Sequence, residues 1–449
     1  MGAITLEQAA RWCGGWIDPK YAGVTFTGAN IDSRKLLPGQ LFVALPGARD
    51  GHDFIPMAIE KGAAAVLCRR CDGDHPAIVV EDTRIALGQI ARGWREYLNL
   101  TVVGITGSVG KSTTKEMTAA VLETTFRIKK SPANHNNDLG LPMAVLDIPE
   151  GTQVAVLEMG MNHFREMAYL SSIATPDVAV IVNIGSMHIE HLGSREGILQ
   201  AKLEILEGLK PGGKLLLNAD DEYLATVHQP NTLWFGTGAD CEVRGSGISQ
   251  FDGILSFTAE TSKETFCVEM ALEGLHFVPD ALAAVAVGHA LGVPGEKIRE
   301  GLARFQNMAG RQEIFEAKGC TVISDCYNAG PESMAAALQV LGNRTGRRIA
   351  VLGDMLELGE ASAAAHEQVG KLAAKNADYL LSYGNYAEFM VRGAMSSGMQ
   401  ANHAAAFIDK TELSRHLRQI AHPGDVLLFK GSRGMRMEHL VEAFTKEET

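Results

Sequence analysis

Thr101–Thr124 reads TVVGITGSVGKSTTKEMTAAVLET. Val102, Val103 and Ile105 form an apolar run that leads into a glycine-rich turn, Gly107-Ser-Val-Gly110, closed by Lys111, Ser112 and Thr113. Met117, Ala120, Val121 and Thr124 then recur at helical spacing. The order is strand, phosphate loop, helix. In such a unit, backbone N–H groups and a helix N-terminus cradle phosphate oxygens, Lys111 reaches the β- and γ-phosphates, and Ser112 offers its hydroxyl to Mg²⁺. The strict Walker spacing would put its first glycine at position 105, where Ile105 stands, and Gly104 lies one residue early. A plain glycine-rich β-turn is the competing reading, but it does not call for a strand before it and a helix after it. A nucleotide-binding domain is therefore expected around this stretch.

At 449 residues the chain exceeds a single ordinary core, and length alone suggests about two to four domains. The composition is globular, 46% hydrophobic and 21% charged, with a formal net charge of −12. That balance argues against nucleic acid or an acidic membrane surface as a partner, while local Lys and Arg clusters still admit an anionic substrate. The seven cysteines are an odd, scattered set, which suits a reducing compartment. Cys68-Arg-Arg-Cys71 has no second pair, so zinc is not expected. No signal peptide opens the sequence and no apolar run reaches membrane-spanning length, so a cytoplasmic protein without membrane insertion is expected.

Residues 1–98 read as a small α/β module. Gly39–Leu45 is a turn and a strand, Phe54–Gly62 a short helix, Ala63–Leu67 a strand, and Thr83–Leu98 a helix leading inward. Asp32-Ser33-Arg34 and the loop carrying Arg49, Asp50, Gly51 and His52 suit a phosphate or a nucleotide sugar as well as they suit plain solvated loops.

Residues 99–309 form the largest unit. Asn134-His-Asn-Asn137-Asp138 is a polar cluster that on its own signals a turn. Val154–Leu157 is a buried-type strand ending in Glu158. A carboxylate at the carboxyl end of a strand beside a phosphate loop stands where a nucleotide-bound Mg²⁺ needs a ligand. Val178–Val182 repeats the design and opens into Asn183-Ile-Gly185 and His188. Both side chains are expected at one crevice, although a histidine just past a strand is as readily a hydrogen-bonded loop residue. Ser194 is expected to cap a helix carrying Lys202 and Glu204, with Gly197 leaving its capping box incomplete. Spacing alone makes Lys202 an ordinary solvated lysine. Residues 228–275 read as short strands, and Pro279–Leu291 as an Ala-rich helix.

Residues 310–449 begin a second α/β cycle. Thr321–Ser324 leads to Asp325, Tyr327 and Asn328; Ile349–Leu352 to Gly353-Asp-Met355; Val426–Phe429 to Lys430-Gly-Ser432-Arg433. No GxGxxG follows the first strand, so a second dinucleotide is not indicated. Lys430, Ser432 and Arg433 suit a carboxylate or phosphate, or else mark an ordinary strand-to-helix turn. The expected fold is α/β in three domains: a small N-terminal module, a central mostly parallel P-loop sheet with helices on both faces, and a C-terminal Rossmann-like domain.

With these pieces placed, the chain resembles the ATP-dependent Mur ligases, and among them the MurF type, over essentially its whole length. The resemblance rests on Asp32-Ser-Arg34, Gly39–Leu45, Asp50-Gly-His52, Thr106–Ser112, Asn134–Asn137, Glu158-Met-Gly160, Asn183 to His188 and Ala201-Lys202 to Glu204. Further on it rests on Gly310-Arg311, Asp325 with Tyr327-Asn-Ala329 and Pro331, Gly353–Gly359, and Lys430–Arg433, the last three sets separating the MurF type from its sister ligases.

The resemblance implies that ATP phosphorylates the terminal carboxylate of a UDP-N-acetylmuramoyl-tripeptide, and that the amine of D-alanyl-D-alanine attacks the acyl phosphate. It implies catalytic roles for Lys111, Glu158, His188 and Lys202, and nucleotide contacts from Gly107, Gly110, Lys111, Ser112 and Thr113. Arg311 would meet the ATP phosphates, with Asp325 and Asn328 near the nucleoside. Ser112 and Glu158 would hold one Mg²⁺; His188 and Lys202, the latter carbamylated in many members, would serve a second. Ser33 and Arg34 fall where the family binds uridine, and Asn136 and Asn137 near the phosphate and peptide region. Lys430, Ser432 and Arg433 complete the substrate set, and a monomer is expected.

One departure stands out. The family often carries His-Asn-x-x-Asn ahead of the Ala-rich helix, with its amides near adenine, whereas this chain has His276-Phe-Val-Pro-Asp280. Weaker base selectivity is the expectation drawn from that, and Gly330 replaces a common Asn as a milder change. A sister ligase or a folylpolyglutamate synthase would share the P-loop core but add a single amino acid. A non-catalytic relative would lose Lys111, Glu158, His188 or Lys202, and all four are present.

Overall fold

Three main sheets and one two-stranded ribbon make up the computed structural model, which describes residues 3–132 and 135–446. Asn134, named above, lies outside the described residues. The first sheet has four parallel strands in the order Ala29–Asn30, Leu41–Val43, Ala65–Cys68, Ala77–Val79. Helix α1 (Thr83–Leu98) leaves it toward the centre of the molecule. Asp82 caps α1 by accepting from the backbone N–H groups of Arg84 and Ile85 at 2.8 and 3.0 Å, and Asn99 in the left-handed region (φ 46°) ends it. Leu87, Ile90, Ala91 and Trp94 of α1 belong to one continuous core that runs from Ile4 and Leu41 to Val102 and Leu157. The N-terminal unit thus shares its apolar interior with one face of the next sheet.

That next sheet has nine strands. Strand β1 (Thr101–Thr106) feeds helix α2 (Lys111–Glu123), and β2 (Val154–Glu158) and β3 (Val178–Ile181) flank β1 in parallel. Alternate residues face opposite ways. Val103, Ile105, Val156 and Val180 pack under α2, while Val102, Leu157, Ala179 and Ile181 face the core shared with α1. Burial on both faces is why these strands read as unbroken apolar runs. Ile105 pairs with Glu158 and Thr106 with Ile181, so the phosphate loop, Glu158 and the loop after β3 leave the sheet at one carboxyl edge. β1 therefore lies between the strands that deliver Glu158 and His188.

Helix α3 (Arg195–Leu203) follows, with Ser194 accepting from the Gly197 N–H as its cap. The stretch expected as short strands forms a long antiparallel extension instead, Val243–Phe251 against Ile254–Thr261 and then Thr265–Met270. In its first strand Val243 and Gly245 are buried, while from Ser246 on every residue is half-exposed or exposed, Gly247 and Ser249 among them, which weakens the hydrophobic signal. Helix α4 (Val278–Ala290), buried nearly all round, covers the sheet beside α2.

The last sheet has six strands. β4 (Cys320–Asp325), β5 (Arg348–Gly353) and β6 (Val426–Lys430) sit centrally in the order β4-β6-β5, and helix α5 (Pro331–Gly342) follows β4. Its other strands, Glu313–Ala317, Tyr379–Tyr383 and Ala404–Phe407, gave little sequence signal, the last being mostly alanine. Asp325 pairs with Lys430 at the carboxyl edge. The seven cysteines are unpaired, and no helix among the described residues is long and apolar enough to cross a membrane.

Candidate active site

The carboxyl edges of the two larger sheets border one cavity of about 530 Å³. On its central side stands the phosphate loop. Asn183, just past β3, holds the loop open: its Oδ1 accepts from the Ser108 and Val109 N–H groups at 3.1 and 3.0 Å, and its Nδ2 donates to the Val109 carbonyl at 3.0 Å. Gly110 caps α2 at φ +80°, a conformation that side chains rarely adopt. Lys111 folds back on the loop, donating from Nζ to the Gly107 and Ser108 carbonyls at 2.8 and 3.0 Å. Burial pushes this amine below its ordinary range, Glu158 opposing and Arg311 reinforcing the shift.

Glu158, at the end of β2, is buried. Its Oε1 accepts from Asn136 Nδ2 at 2.8 Å and its backbone N–H donates to Ser131 Oγ at 3.0 Å. Its Oε2 is buried without a hydrogen-bond partner; the nearest cation, Lys115 Nζ, is 3.8 Å away and donates to the Ser131 carbonyl instead. A buried carboxylate oxygen left without a donor calls for a partner. A hard divalent cation, which takes oxygen ligands, fits this oxygen and the Ser112 hydroxyl at the start of α2.

The loop after β3 joins the phosphate loop to the C-terminal sheet. Ser186 donates from N and Oγ to Glu332 Oε1 at 2.8 and 2.7 Å, Glu332 lying in the first turn of α5. His188 adopts φ +66° and brings Nδ1 to 2.6 Å from Glu357 Oε2, which holds that carboxyl below its usual range. Lys202 on α3 is buried behind the cavity. Desolvation, helped by the Lys111 charge, pushes its amine well below the ordinary lysine range. A neutral buried amine is the form that can take up carbon dioxide.

From the C-terminal side Arg311 donates from Nη2 to Ser112 Oγ at 2.8 Å, with its guanidinium 4.0 Å from the Tyr327 ring centre. Asp325 is paired with buried Lys430 at 2.6 Å, and Lys430 also donates to the Asn328 carbonyl at 3.0 Å. Asp280, at the start of α4, is buried; its Oδ1 accepts from Thr114 Oγ1 at 2.8 Å and lies 2.3 Å from where a Cβ on Gly110 would stand. Burial pushes its carboxyl up to about 8.

The cavity thus brings together Gly110, Lys111, Ser112, Thr113, Asn136, Asn137 and Glu158 with His188, Arg311, Asp325, Asn328 and Lys430. Other expected residues stand apart. Gly107 contributes its carbonyl to Lys111. Ser432 is buried and donates to the Ala329 carbonyl while accepting from the Leu356 N–H. Arg433 is exposed and paired with Glu438. In the N-terminal unit Ser33 is buried against Met57, and Arg34 is exposed and tied to Asp32. The basic cluster expected at Lys430, Ser432 and Arg433 therefore does not converge: Lys430 alone of the three faces the cavity.

Several groups at the site had no separate sequence signal. Lys115 sits four residues past Lys111 on a helix enclosed nearly all round, where periodicity cannot mark it. Glu332 and Glu357 gain meaning only where the two sheets meet.

Residues 105–288 match the Mur ligase middle domain, residues 310–433 the Mur ligase glutamate ligase domain, and residues 25–95 the Mur ligase family catalytic domain. The chain is 39% identical to the UDP-N-acetylmuramoyl-tripeptide–D-alanyl-D-alanine ligase of Bacillus subtilis (strain 168), over 98% of this chain and 97% of that protein. Its fold superposes on the crystal structure of MurF from Acinetobacter baumannii with a TM-score of 0.91 at 33% identity, covering 100% of both chains. It also superposes on MurF ligase from Thermotoga maritima in complex with ADP, with a TM-score of 0.81 at 31% identity, over 94% of this chain and 97% of that one.

Proposed function

This chain belongs to the Mur ligase family, in its MurF type, and from that premise we infer the reaction and the residues that carry it. It is an ATP-dependent peptide ligase that joins D-alanyl-D-alanine to the terminal carboxylate of a UDP-N-acetylmuramoyl-tripeptide, a step of peptidoglycan precursor synthesis. The observation that carries the residue assignments is the cavity in which the phosphate loop, Glu158, His188 and Arg311 meet from two sheets.

A carboxylate is a poor electrophile, and ATP overcomes that. A carboxylate oxygen of the tripeptide bonds to the γ-phosphorus as the β–γ bridging oxygen leaves with ADP. The amine of the dipeptide then attacks the acyl carbon, loses a proton, and the tetrahedral adduct expels inorganic phosphate to leave the amide. The difficulty lies in bringing two anions together, and fixed positive groups offset it.

Lys111 supplies one such charge by turning from the Gly107 and Ser108 carbonyls to the phosphates. Arg311, bridging from the C-terminal side, supplies another. Ser112 and the unpartnered Glu158 Oε2 would hold one Mg²⁺, with His188 and a carbamylated Lys202 serving a second. When bound, these ions neutralise phosphate charge and align the γ-phosphate with its attacker. Asn183 keeps the loop open, and Lys115 places its ammonium 3.8 Å from Glu158 Oε2. Asp325 and Asn328 lie toward the nucleoside, and Asn136, Asn137 and Lys430 toward the acceptor. Residues 1–98, with Ser33 and Arg34, would bind the UDP end, residues 99–309 ATP, and residues 310–449 the amine, in a monomeric cytoplasmic enzyme.

Phosphate release with the UDP-sugar tripeptide tests the assignment. D-alanyl-D-alanine is expected to support turnover, and glutamate or single amino acids are not. Equal turnover with a single amino acid would point to a sister ligase.

A further inference from the structure

Asp280 is a carboxyl group placed where a negative charge is least welcome. It is 5% exposed and sits at the mouth of the phosphate cradle, its Oδ1 and Oδ2 lying 2.3 and 3.1 Å from the position of a Cβ on Gly110. Thr114, on the first turn of α2, donates to Oδ1 at 2.8 Å. Among the described residues no cation pairs with it, and Arg311 is the charged group whose field reaches it. The N-terminus of α2 would favour an anion there, yet desolvation outweighs it and carries the group to about 8. One oxygen accepts from Thr114, which leaves the other for a proton aimed elsewhere.

We propose that Asp280 binds the nucleotide as a neutral carboxylic acid, its O–H donating to the phosphate chain seated beside Gly110. Resting on the nucleotide-binding reading above, this makes the side chain resemble an asparagine: same shape, with one oxygen accepting and the other terminal atom donating. Burial thus supplies at residue 280 a donor that an ionised carboxylate lacks, while Phe277 restores nothing of the other amide. Phosphates arriving next to the carboxyl oppose its ionisation further. Nucleotide binding is therefore linked to retention of this proton, and affinity falls as pH rises past about 8.

The test is calorimetric titration of the whole protein with ADP and Mg²⁺ between pH 7 and pH 9.5, in two buffers of different ionisation enthalpy, for the native chain and Asp280→Asn. The native chain is expected to lose about tenfold in affinity across the upper half of that range and to take up close to one proton on binding near pH 9. Asp280→Asn is expected to bind within about threefold of the native chain at pH 7, with that extra loss and that proton uptake absent. Parallel pH profiles for the two proteins, or an Asp280→Asn variant at least tenfold weaker at pH 7, would overturn the proposal. Burial also lowers the Lys111 amine, which can take up a proton at the phosphates, so the count is read as the difference between the native chain and Asp280→Asn, with Asp280→Ser as the second variant should the first fail to fold. Absence of ADP binding at every pH would overturn the nucleotide reading along with it, whereas binding without proton linkage overturns this inference alone.

Discussion

The Ser112 hydroxyl accepts a 2.8 Å hydrogen bond from Arg311 Nη2, across 199 residues of sequence. Ser112 opens the helix of the phosphate loop, and Arg311 leads into the C-terminal sheet, braced at 4.0 Å against Tyr327. The C-terminal sheet thus reaches the first turn of the helix that follows the phosphate loop.

Arg311→Ala is expected to weaken ADP affinity by about tenfold to a hundredfold, the worth of a charge-assisted hydrogen bond to phosphate. Arg311→Lys should recover only part of it, because an ammonium lacks the planar fork and the stacking face. Calorimetry with ADP checks both, and unchanged affinity in Arg311→Ala would remove the contact from the site.

Lys111→Ala is expected to abolish ADP release, since no other flexible cation lies on the loop. Lys202→Ala should do the same, with partial recovery when short carboxylic acids are added, because they would supply the oxygens of the carbamate proposed on Lys202. Amide synthesis that persists in either variant contradicts the corresponding role.

Gly110→Ala tests the cradle itself. The added methyl would meet the Asp280 carboxyl at 2.3 Å while the backbone stays at φ +80°, and such a conformation costs a side-chain-bearing residue about 1–2 kcal/mol before any clash. A drop of several degrees in Tm together with loss of ADP binding is expected. A variant with native Tm and native affinity would mean that the loop is free to shift.

Asp280 also makes a prediction for stability without ligand. Its folded value of about 8 lies above the ordinary 3.8, so between those values the folded state keeps a proton that the unfolded chain has released. Stability therefore falls as pH rises through that window, and Asp280→Asn removes the fall. The variant should be more stable than the native chain by about 5 kcal/mol near pH 8, with the gap closing toward pH 3.8. Denaturant unfolding at several pH values checks this, and a gap that does not change with pH would contradict it.

Much of this was legible in the sequence where one residue type meets one local demand. Thr101–Ser112 spelled strand, loop and helix, and Glu158 and His188 were placed at one crevice because strands alternating with helices share a carboxyl edge. What stayed hidden depends on contacts between distant segments. Ser432 and Arg433 looked like Lys430, yet one knots three strand ends together and the other faces solvent. Lys202 reads as a surface lysine until α3 is seen packed inward. Asp280 reads as a charge, and only its burial, working against the Thr114 hydrogen bond, raises its carboxyl. Residues 228–275 read as strands, but the length of the hairpin at residues 243–261 escaped because its first strand is open from Ser246 onward.

The central claim is that the cavity moves a phosphoryl group onto a carboxylate before the amide forms. Labelling the terminal carboxylate of the tripeptide with ¹⁸O and analysing the released phosphate by mass spectrometry tests it most directly. One ¹⁸O atom in the phosphate is expected for each amide bond made. Unlabelled phosphate accompanying amide formation would contradict it.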